Sequence, residues 1–356
     1  YHIENGHILR FGQARVIFLS AAPPANVVGN TAHVLLEIDE AQDVDIDKFN
    51  REFKPMAAVA NATTVLYGTP WHEHTLLEQV KQSSLKLERQ DGLRRHFRYD
   101  WREVARYRPN YRRYVENERA RLGEDHPVFR TQYALLPVSG GNGFFSDKQL
   151  LALTGSHPAC RLPQSSRGYV GGLDFGGEGT DSADATVLTL AKLEHRSTAP
   201  GGLPDIRVVR HYAWQGLPAA VLLKQLTEIA RGWKLRRLAV DATGLGQPLA
   251  GMLRQSLGSR VVSVVFNRKN KSELGYELLA AANTGRLKLY ARDHSPESAE
   301  CWHQLEAAEA DFHPDQTLNF YVNPARGHDD YLISLALTLK AADTCRPRTA
   351  FGVNSL

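Results

Sequence analysis

Two apolar runs in this chain stop at an aspartate and give way to glycine-rich sequence: Gly171-Gly172-Leu173-Asp174-Phe175-Gly176 and Leu238-Ala239-Val240-Asp241-Ala242-Thr243-Gly244. A third acidic position, in Gly327-His328-Asp329-Asp330, opens an apolar helix predicted over Tyr331 to Leu339. A carboxylate at the end of a buried strand costs free energy unless something compensates it. Three such carboxylates brought to one point supply the hard oxygen donors that divalent cations take. Few folds bring three separated acids together, so this feature restricts the architecture strongly.

The elements around the acids give an order. Strands are predicted over 169–175, 185–192 and 206–214, an antiparallel meander. Pro218 suits the first turn of a helix over 219–232. A strand over 237–241, a helix over 246–257, a strand over 260–266 and a helix over 272–283, ended by Thr284-Gly285, complete the unit. This is the element order of a ribonuclease H-like fold, in which the first and fourth strands lie adjacent and parallel. Asp174 and Asp241 then stand side by side, and the late helix delivers Asp329 and Asp330. All four are candidate metal ligands, with Asp174, Asp241 and Asp329 in the catalytic role. The expectation is a phosphodiester endonuclease using two Mg²⁺ or Mn²⁺ ions about 3.5–4 Å apart. Taken singly, each acid has a plain alternative: a turn residue for Asp174, a helix-entry residue for Asp241, an N-cap for Asp329 or Asp330. Asp181 and Asp184 read first as turn residues of the hairpin, with Asp184 alternatively behind the ligands. His328 reads either as a group that orients a carboxylate or contacts substrate, or as a capping or solvent-facing residue. Arg268, Lys269 and Lys271 precede a helix start at Ser272 and read as a phosphate-gripping loop, against a solvated charge run.

Composition narrows the class. Cys160, Cys301 and Cys345 are far apart and form no CxxC pair, which argues against a zinc site or a disulfide scaffold and fits a reducing compartment. No run is long and apolar enough to span a bilayer, and no signal peptide is visible. The formal net charge is only +4, yet arginines crowd the stretch from Lys81 to Arg121, interleaved with Phe97, Tyr99, Trp101, Tyr107, Tyr111 and Tyr114. That stretch is either a nucleic-acid-facing surface or a solvated helix paired to Glu103, Glu116 and Glu118.

Upstream, Val16 to Leu19 reads as a strand and His33 to Ile38 as a buried parallel strand ending in Asp39-Glu40. A crossover helix is predicted over 46–59, and a strand over 63–67 runs into Gly68-Thr69-Pro70. Such an Asp-Glu supplies P-loop ATPases with an acid near Mg²⁺ and a Glu that orients water. The organisation expected is α/β throughout. Residues 1–80 are the later part of a P-loop ATPase-like parallel domain, and 81–165 a basic helical linker subdomain with a break at Gly140-Gly141-Asn142-Gly143. Residues 166–342 are a ribonuclease H-like nuclease domain and 343–356 a loose tail. The chain opens at Tyr1, so further sequence is expected upstream.

With these motifs the chain resembles the large terminase subunit of tailed bacteriophages, the DNA-packaging ATPase and nuclease. Asp39 and Glu40 match that family's acidic ATPase motif and Gly68-Thr69-Pro70 its coupling motif. Phe129-Arg130-Thr131-Gln132-Tyr133 is similar to the segment entering its nuclease domain. Asp174, Asp241 and Gly-His-Asp-Asp at 327–330, followed by Ser334-Leu335-Ala336, match its nuclease motifs. The resemblance implies action on concatemeric viral double-stranded DNA in the host cytoplasm, transiently at the procapsid. It also implies a small terminase subunit, a portal and a homo-oligomer on that portal as partners, and no membrane. Two other readings remain open: a helicase-like ATPase fragment, and a non-catalytic DNA-binding prophage remnant.

One departure bears on activity. No GxxxxGK[ST] loop occurs in these residues, so nothing here cradles ATP phosphates; ATP is implied only if an upstream part supplies that loop. This chain alone is expected not to hydrolyse ATP. A malachite-green phosphate assay showing DNA-stimulated turnover would refute that.

Overall fold

The structure is a computed structural model and describes residues 1–138, 143–164, 168–176, 184–194, 203–244 and 246–345. The break at 140–142, the linker at 165–167, Asp181 and the tail beyond 345 lie outside the described residues. Contacts divide the chain into two units, Tyr1–Val104 with Arg130–Gly140, and Ala105–Phe129 with Gly141–Leu356. The 81–165 stretch, expected to stand as a subdomain, is shared between them.

The first unit opens with an antiparallel meander, β1 (His2–Glu4), β2 (Ile8–Phe11) and β3 (Ala14–Ile17). The run at Val16 therefore belongs to a hairpin and not to a parallel sheet. β4 (Leu35–Ile38) and β5 (Thr63–Leu66) are parallel, with Leu36 opposite Thr64. Buried on one face only, β4 turns Leu36 and Ile38 inward and exposes Leu35 and Glu37, where burial on both faces was expected. The crossover over 46–59 is no continuous helix. It runs from α1 (Ile46–Lys48) through a π turn, Phe49–Phe53, into a 3₁₀ turn, Lys54–Ala57. Pro55 has no N–H to extend an α-helical ladder, while Phe49, Phe53 and Met56 are still buried against Leu36 and Ile38. α2 (Leu76–Asp91) follows, started by Thr75, whose hydroxyl accepts the Glu78 N–H. Next in the chain come α3 (Trp101–Tyr107), α4 (Pro109–Leu122) and α5 (Pro127–Gln132).

The second unit, after α6 (Asp147–Leu153), is built on a mixed six-stranded sheet. Its strands are β6 (Tyr169–Asp174), β7 (Thr186–Glu194), β8 (Asp205–Trp214), β9 (Arg237–Asp241), β10 (Val261–Val264) and β11 (Leu287–Lys288), in spatial order β10-β9-β6-β7-β8-β11. β6, β7 and β8 form the antiparallel meander, and β9 lies parallel to β6 with Val240 opposite Leu173. The first and fourth strands of the unit are thus neighbours, as a ribonuclease H-like sheet requires. α7 (Ala219–Gly232) and α8 (Gly246–Leu257) contribute to the core around Leu173, Leu188, Leu238 and Val240. α9 (Arg268–Asn283), α10 (Pro296–Ala307) and α11 (Asp330–Asp343) join the core around Val170, Val187 and Ala239, with the hairpin β12 (Ala308–Phe312) and β13 (Leu318–Val322).

α11 is buried along nearly its whole length and reaches β6 at a position without a side chain. A Cβ on Gly172 would meet the Ser334 carbonyl and Thr338 N–H of α11 and lie 2.6 Å from the Thr338 hydroxyl. Polar links secure α11 to the sheet: the hydroxyls of Thr189 on β7 and Ser334 are 2.6 Å apart, and the Thr338 hydroxyl donates to the Thr189 carbonyl at 3.4 Å. No helix among the described residues is long and apolar enough to cross a membrane. The three cysteines are free.

Gly172→Ala is expected to lift α11 and cost about 3 kcal/mol in a urea titration. Gly251→Ala, on α8 with nothing within 4 Å of the new methyl, is the control and is expected to be neutral or stabilising by up to about 1 kcal/mol.

Candidate active site

Side-chain parity sets the site. Successive residues of a strand point to opposite faces. On β6, Val170, Gly172 and Asp174 therefore share the face that meets α11, while Tyr169 and Leu173 belong to the opposite core. On β9, Ala239 and Asp241 share that α11 face, with Leu238 and Val240 opposite. Both strands end at their aspartates, so two carboxylates emerge side by side at one sheet end. α11 starts there with Asp330, preceded by Asp329.

The four acids differ in burial and in hydrogen bonding. Asp174 closes β6 and is buried, 8% exposed. Asp241 accepts the Thr243 N–H at 2.8 Å, and the Thr243 hydroxyl in turn accepts the Phe266 N–H. Asp329 occupies the N-cap of α11, yet its side chain makes no capping bond. The cap comes from α10, where the buried Gln304 amide oxygen accepts the N–H groups of Tyr331 at 2.8 Å and Leu332 at 3.4 Å. Asp330, 6% exposed, accepts the Ala185 N–H at 3.0 Å.

Burial raises the proton affinity of all four acids. Asp174 is pushed well above the usual carboxylate range by burial, then by Asp330, Asp241, Asp329 and Asp184. Burial raises Asp241, countered by its bonds to Thr243 and by Lys271. Burial raises Asp329 as well, again against Lys271. Burial takes Asp330 to about 6 despite the Ala185 N–H. This is a desolvated anionic cluster with the cation of Lys271 nearby, and its all-oxygen donors are of the kind that hard divalent cations take. The acids meet electrostatically: among the described residues, no group of three His, Cys, Asp or Glu side chains converges closely enough to hold a metal ion.

The remaining candidates fall as follows. His328 Nδ1 lies 2.5 Å from the Asp184 carboxylate, both half exposed or more, so this pair straps the start of β7 to the entry of α11. Arg268, Lys269 and Lys271 are in the first turn of α9 and not in a loop, because Asn267 and Asn270 form a reciprocal capping box that starts the helix four residues early. Arg268 is engaged by Thr317 and Asp315 at 2.9 Å each. Lys269 is exposed, and the half-buried Lys271 lies 5.5 Å from the Phe320 ring centre. In the first unit, Asp39 accepts the Glu40 N–H, and Glu40 adopts left-handed backbone, φ 47°. Gln42, missed in the sequence, joins both motifs there. Its amide nitrogen donates to Glu40 at 2.6 Å and its oxygen accepts the Thr69 N–H at 3.2 Å. Gln132 donates to the Thr69 hydroxyl at 3.4 Å.

Asp330 gives a test of the electrostatics. Its carboxyl is held at about 6 when folded, against about 4 when unfolded. Ionisation therefore costs more in the folded state; the cost is absent below about pH 4 and complete above about pH 6. Asp330→Asn keeps an oxygen for the Ala185 N–H and removes the charge. In EDTA, the variant is expected to match the wild type near pH 4 and to exceed it by roughly 3 kcal/mol at pH 7.5 in urea titrations. A difference that does not grow with pH contradicts the assignment.

Residues 171–340 match the family model described as the terminase RNaseH-like domain. No curated protein matches the chain. Among solved structures, the large terminase of a thermophilic bacteriophage, in complex with ADP, aligns over 87% of this chain and 69% of its own, at 13% identity and TM-score 0.50. The large terminase nuclease from thermophilic phage G20c with bound magnesium aligns over 57% of this chain and 98% of its own, at 18% identity and TM-score 0.44. The sheet order, the acids at its edge and the family match together make residues 171–340 of this chain a terminase RNaseH-like domain.

Proposed function

We propose that the chain is a divalent-cation-dependent endonuclease that cuts concatemeric viral double-stranded DNA during genome packaging, as part of an ATP-driven motor. The observation that carries this reading is the juxtaposition of Asp174 and Asp241 at the ends of adjacent parallel strands, on the face where α11 presents Asp329 and Asp330. Asp174, Asp241, Asp329 and Asp330 are the residues that would hold Mg²⁺ or Mn²⁺. When bound, two such ions supply a nucleophilic water and charge stabilisation for the leaving oxygen. The chain's own groups orient and desolvate. Gln304 caps α11 in place of the Asp329 carboxylate, the Ala185 N–H fixes Asp330, and Thr243 fixes Asp241. Lys271 offsets charge at Asp241 and Asp329 and is a candidate contact for the DNA backbone, as is Lys269. A small terminase subunit, a portal and self-association on it belong to the same proposal, as does ATP with a phosphate-binding loop from upstream.

A second reading, a non-catalytic DNA-binding protein, draws support from the absence of a closed three-donor cluster among the described residues. Asp174→Asn and Asp241→Asn are each expected to abolish Mn²⁺-dependent plasmid nicking, by on the order of 10³-fold or more, with a melting temperature equal to or above wild type. Retained cleavage in both sinks the nuclease assignment. No heat of divalent binding at millimolar concentration in calorimetry favours the second reading.

A further inference from the structure

The excess positive charge of this protein sits largely in one short segment. Residues 105–123 hold six arginines and two glutamates, a surplus equal to the formal +4 of all 356 residues. Within α4 that charge is unevenly neutralised. Toward its C-terminal end, Arg121 pairs with Glu118 at 2.7 Å and Arg119 with Glu124 at 3.2 Å. Around its N-terminal end, Arg106 of α3, the N-cap Arg108, and Arg112 and Arg113 of α4 are exposed, and no side-chain hydrogen bond or ion pair engages them among the described residues. Glu103 and Glu116, the partners a salt-bridged helix surface would use, are not paired to them. Folding does not explain this placement. The first turn of α4 has no acidic residue, and cations near a helix N-terminus cost stability. Tyr107, 82% exposed, adds a ring beside Arg106 and Arg108.

This surface is fixed to the unit that carries the acid cluster. Val115 and Leu122 are the buried residues of α4. Gly123 sits so close to α9 that an added Cβ would be 2.6 Å from the Asn283 Cβ. His126 Nε2 lies 3.0 Å from the Tyr276 carbonyl of the same helix. α9 carries Lys271 in its first turn, which faces Asp241 and Asp329.

We propose that Arg106, Arg108, Arg112 and Arg113, with Tyr107, form a docking surface for the phosphate backbone of duplex DNA, holding substrate on the nuclease unit independently of the acid cluster. Guanidinium groups match phosphate oxygens in geometry and charge, and such contacts carry affinity without reading sequence. The proposal rests on the reading of the chain as a DNA-acting protein, but it concerns binding and not cleavage.

The test is fluorescence anisotropy with a labelled random-sequence duplex, in EDTA, across a salt series. The full chain is compared with its Arg108→Gln/Arg112→Gln/Arg113→Gln and Arg→Lys triple variants, each checked by circular dichroism. The Gln variant is expected to reduce the magnitude of the slope of log K against log salt by about 2–3 and to weaken binding at least about tenfold at 0.1 M salt. The Lys variant is expected to retain most of the slope, since it keeps the charge. A Gln variant with wild-type slope and affinity overturns the proposal, as does a Lys variant as weak as the Gln variant. Asp174→Asn and the wild type, bound in EDTA and assayed separately for plasmid nicking in Mn²⁺, separate the two readings. Unchanged binding with nicking lost in the variant supports both, whereas binding in EDTA with no nicking by the wild type in Mn²⁺ leaves this surface standing and removes the nuclease.

Discussion

The close approach of α11 to β6 governs the second unit. A helix buried along nearly its whole length must satisfy its packing on every side, and at Gly172 it lies against strand backbone with no side chain between. Interiors packed this tightly do not absorb an extra methyl. The Thr189–Ser334 and Thr338–Thr189 bonds then fix where the helix lies along the strands. Its first residue arrives beside the end of β6 because its second and third turns are held at Gly172, upstream on the same strand. The acid cluster is a consequence of that packing: Asp174 is two residues beyond Gly172, on the same face.

Holding four carboxylates there is unfavourable, and the fold spends hydrogen bonds to permit it. Asp330 and Asp241 each accept one backbone N–H, and neither bond overcomes burial, since both acids remain raised. Lys271 offsets charge at two of the acids. Asp174 gains no lowering partner among its principal influences. A cluster whose every member has its proton affinity raised is a local conflict of the kind that native folds keep at functional sites and offset elsewhere.

Much of this was legible in the sequence. The antiparallel meander, the strand at 237–241 and the helices at 219–232 and 246–257 stand where pattern and punctuation place them, because the strands are short apolar runs and the helices carry a 3.6-residue pattern with Pro218 or Gly246 at the start. The face shared by Asp174 and Asp241 follows from the same parity. Other features lacked a local signal. β11 is two residues long and exists through its pairing with Ile206 and Arg207, and α10 runs directly into β12 with no breaker at Ala307-Ala308. α9 begins early through an Asn–Asn box in place of the commoner Ser or Thr with Glu. In the first unit, one-sided burial of β4 and the broken crossover at Pro55 depend on tertiary packing. The groups that orient the acids come from far along the chain, Gln304 from 27 residues before Tyr331 and Ala185 from 145 residues before Asp330, so no spacing rule reaches them.

The two units share a device that this comparison brings out. In each, a buried glutamine beside an acid hydrogen-bonds the turn or helix entry that carries that acid. Gln304 accepts the orphan N–H groups of α11, a duty that an N-cap aspartate usually takes, and the Asp329 carboxylate makes no capping bond. Gln42 uses both ends of its amide, donating to Glu40 and accepting from Thr69, so the acidic turn after β4 and the turn after β5 share one side chain. An amide is suited to this because it is neutral and offers donor and acceptor together; a carboxylate in either place would add repulsion, and a lysine would neutralise the acid it serves. Replacing either glutamine by leucine removes the bonds without adding charge, leaving buried backbone N–H groups unpaired at the entry of α11 in one case and loosening Glu40 from Thr69 in the other. The acids are the visible motif in both units, and the neutral amide beside each is what holds its surroundings in place.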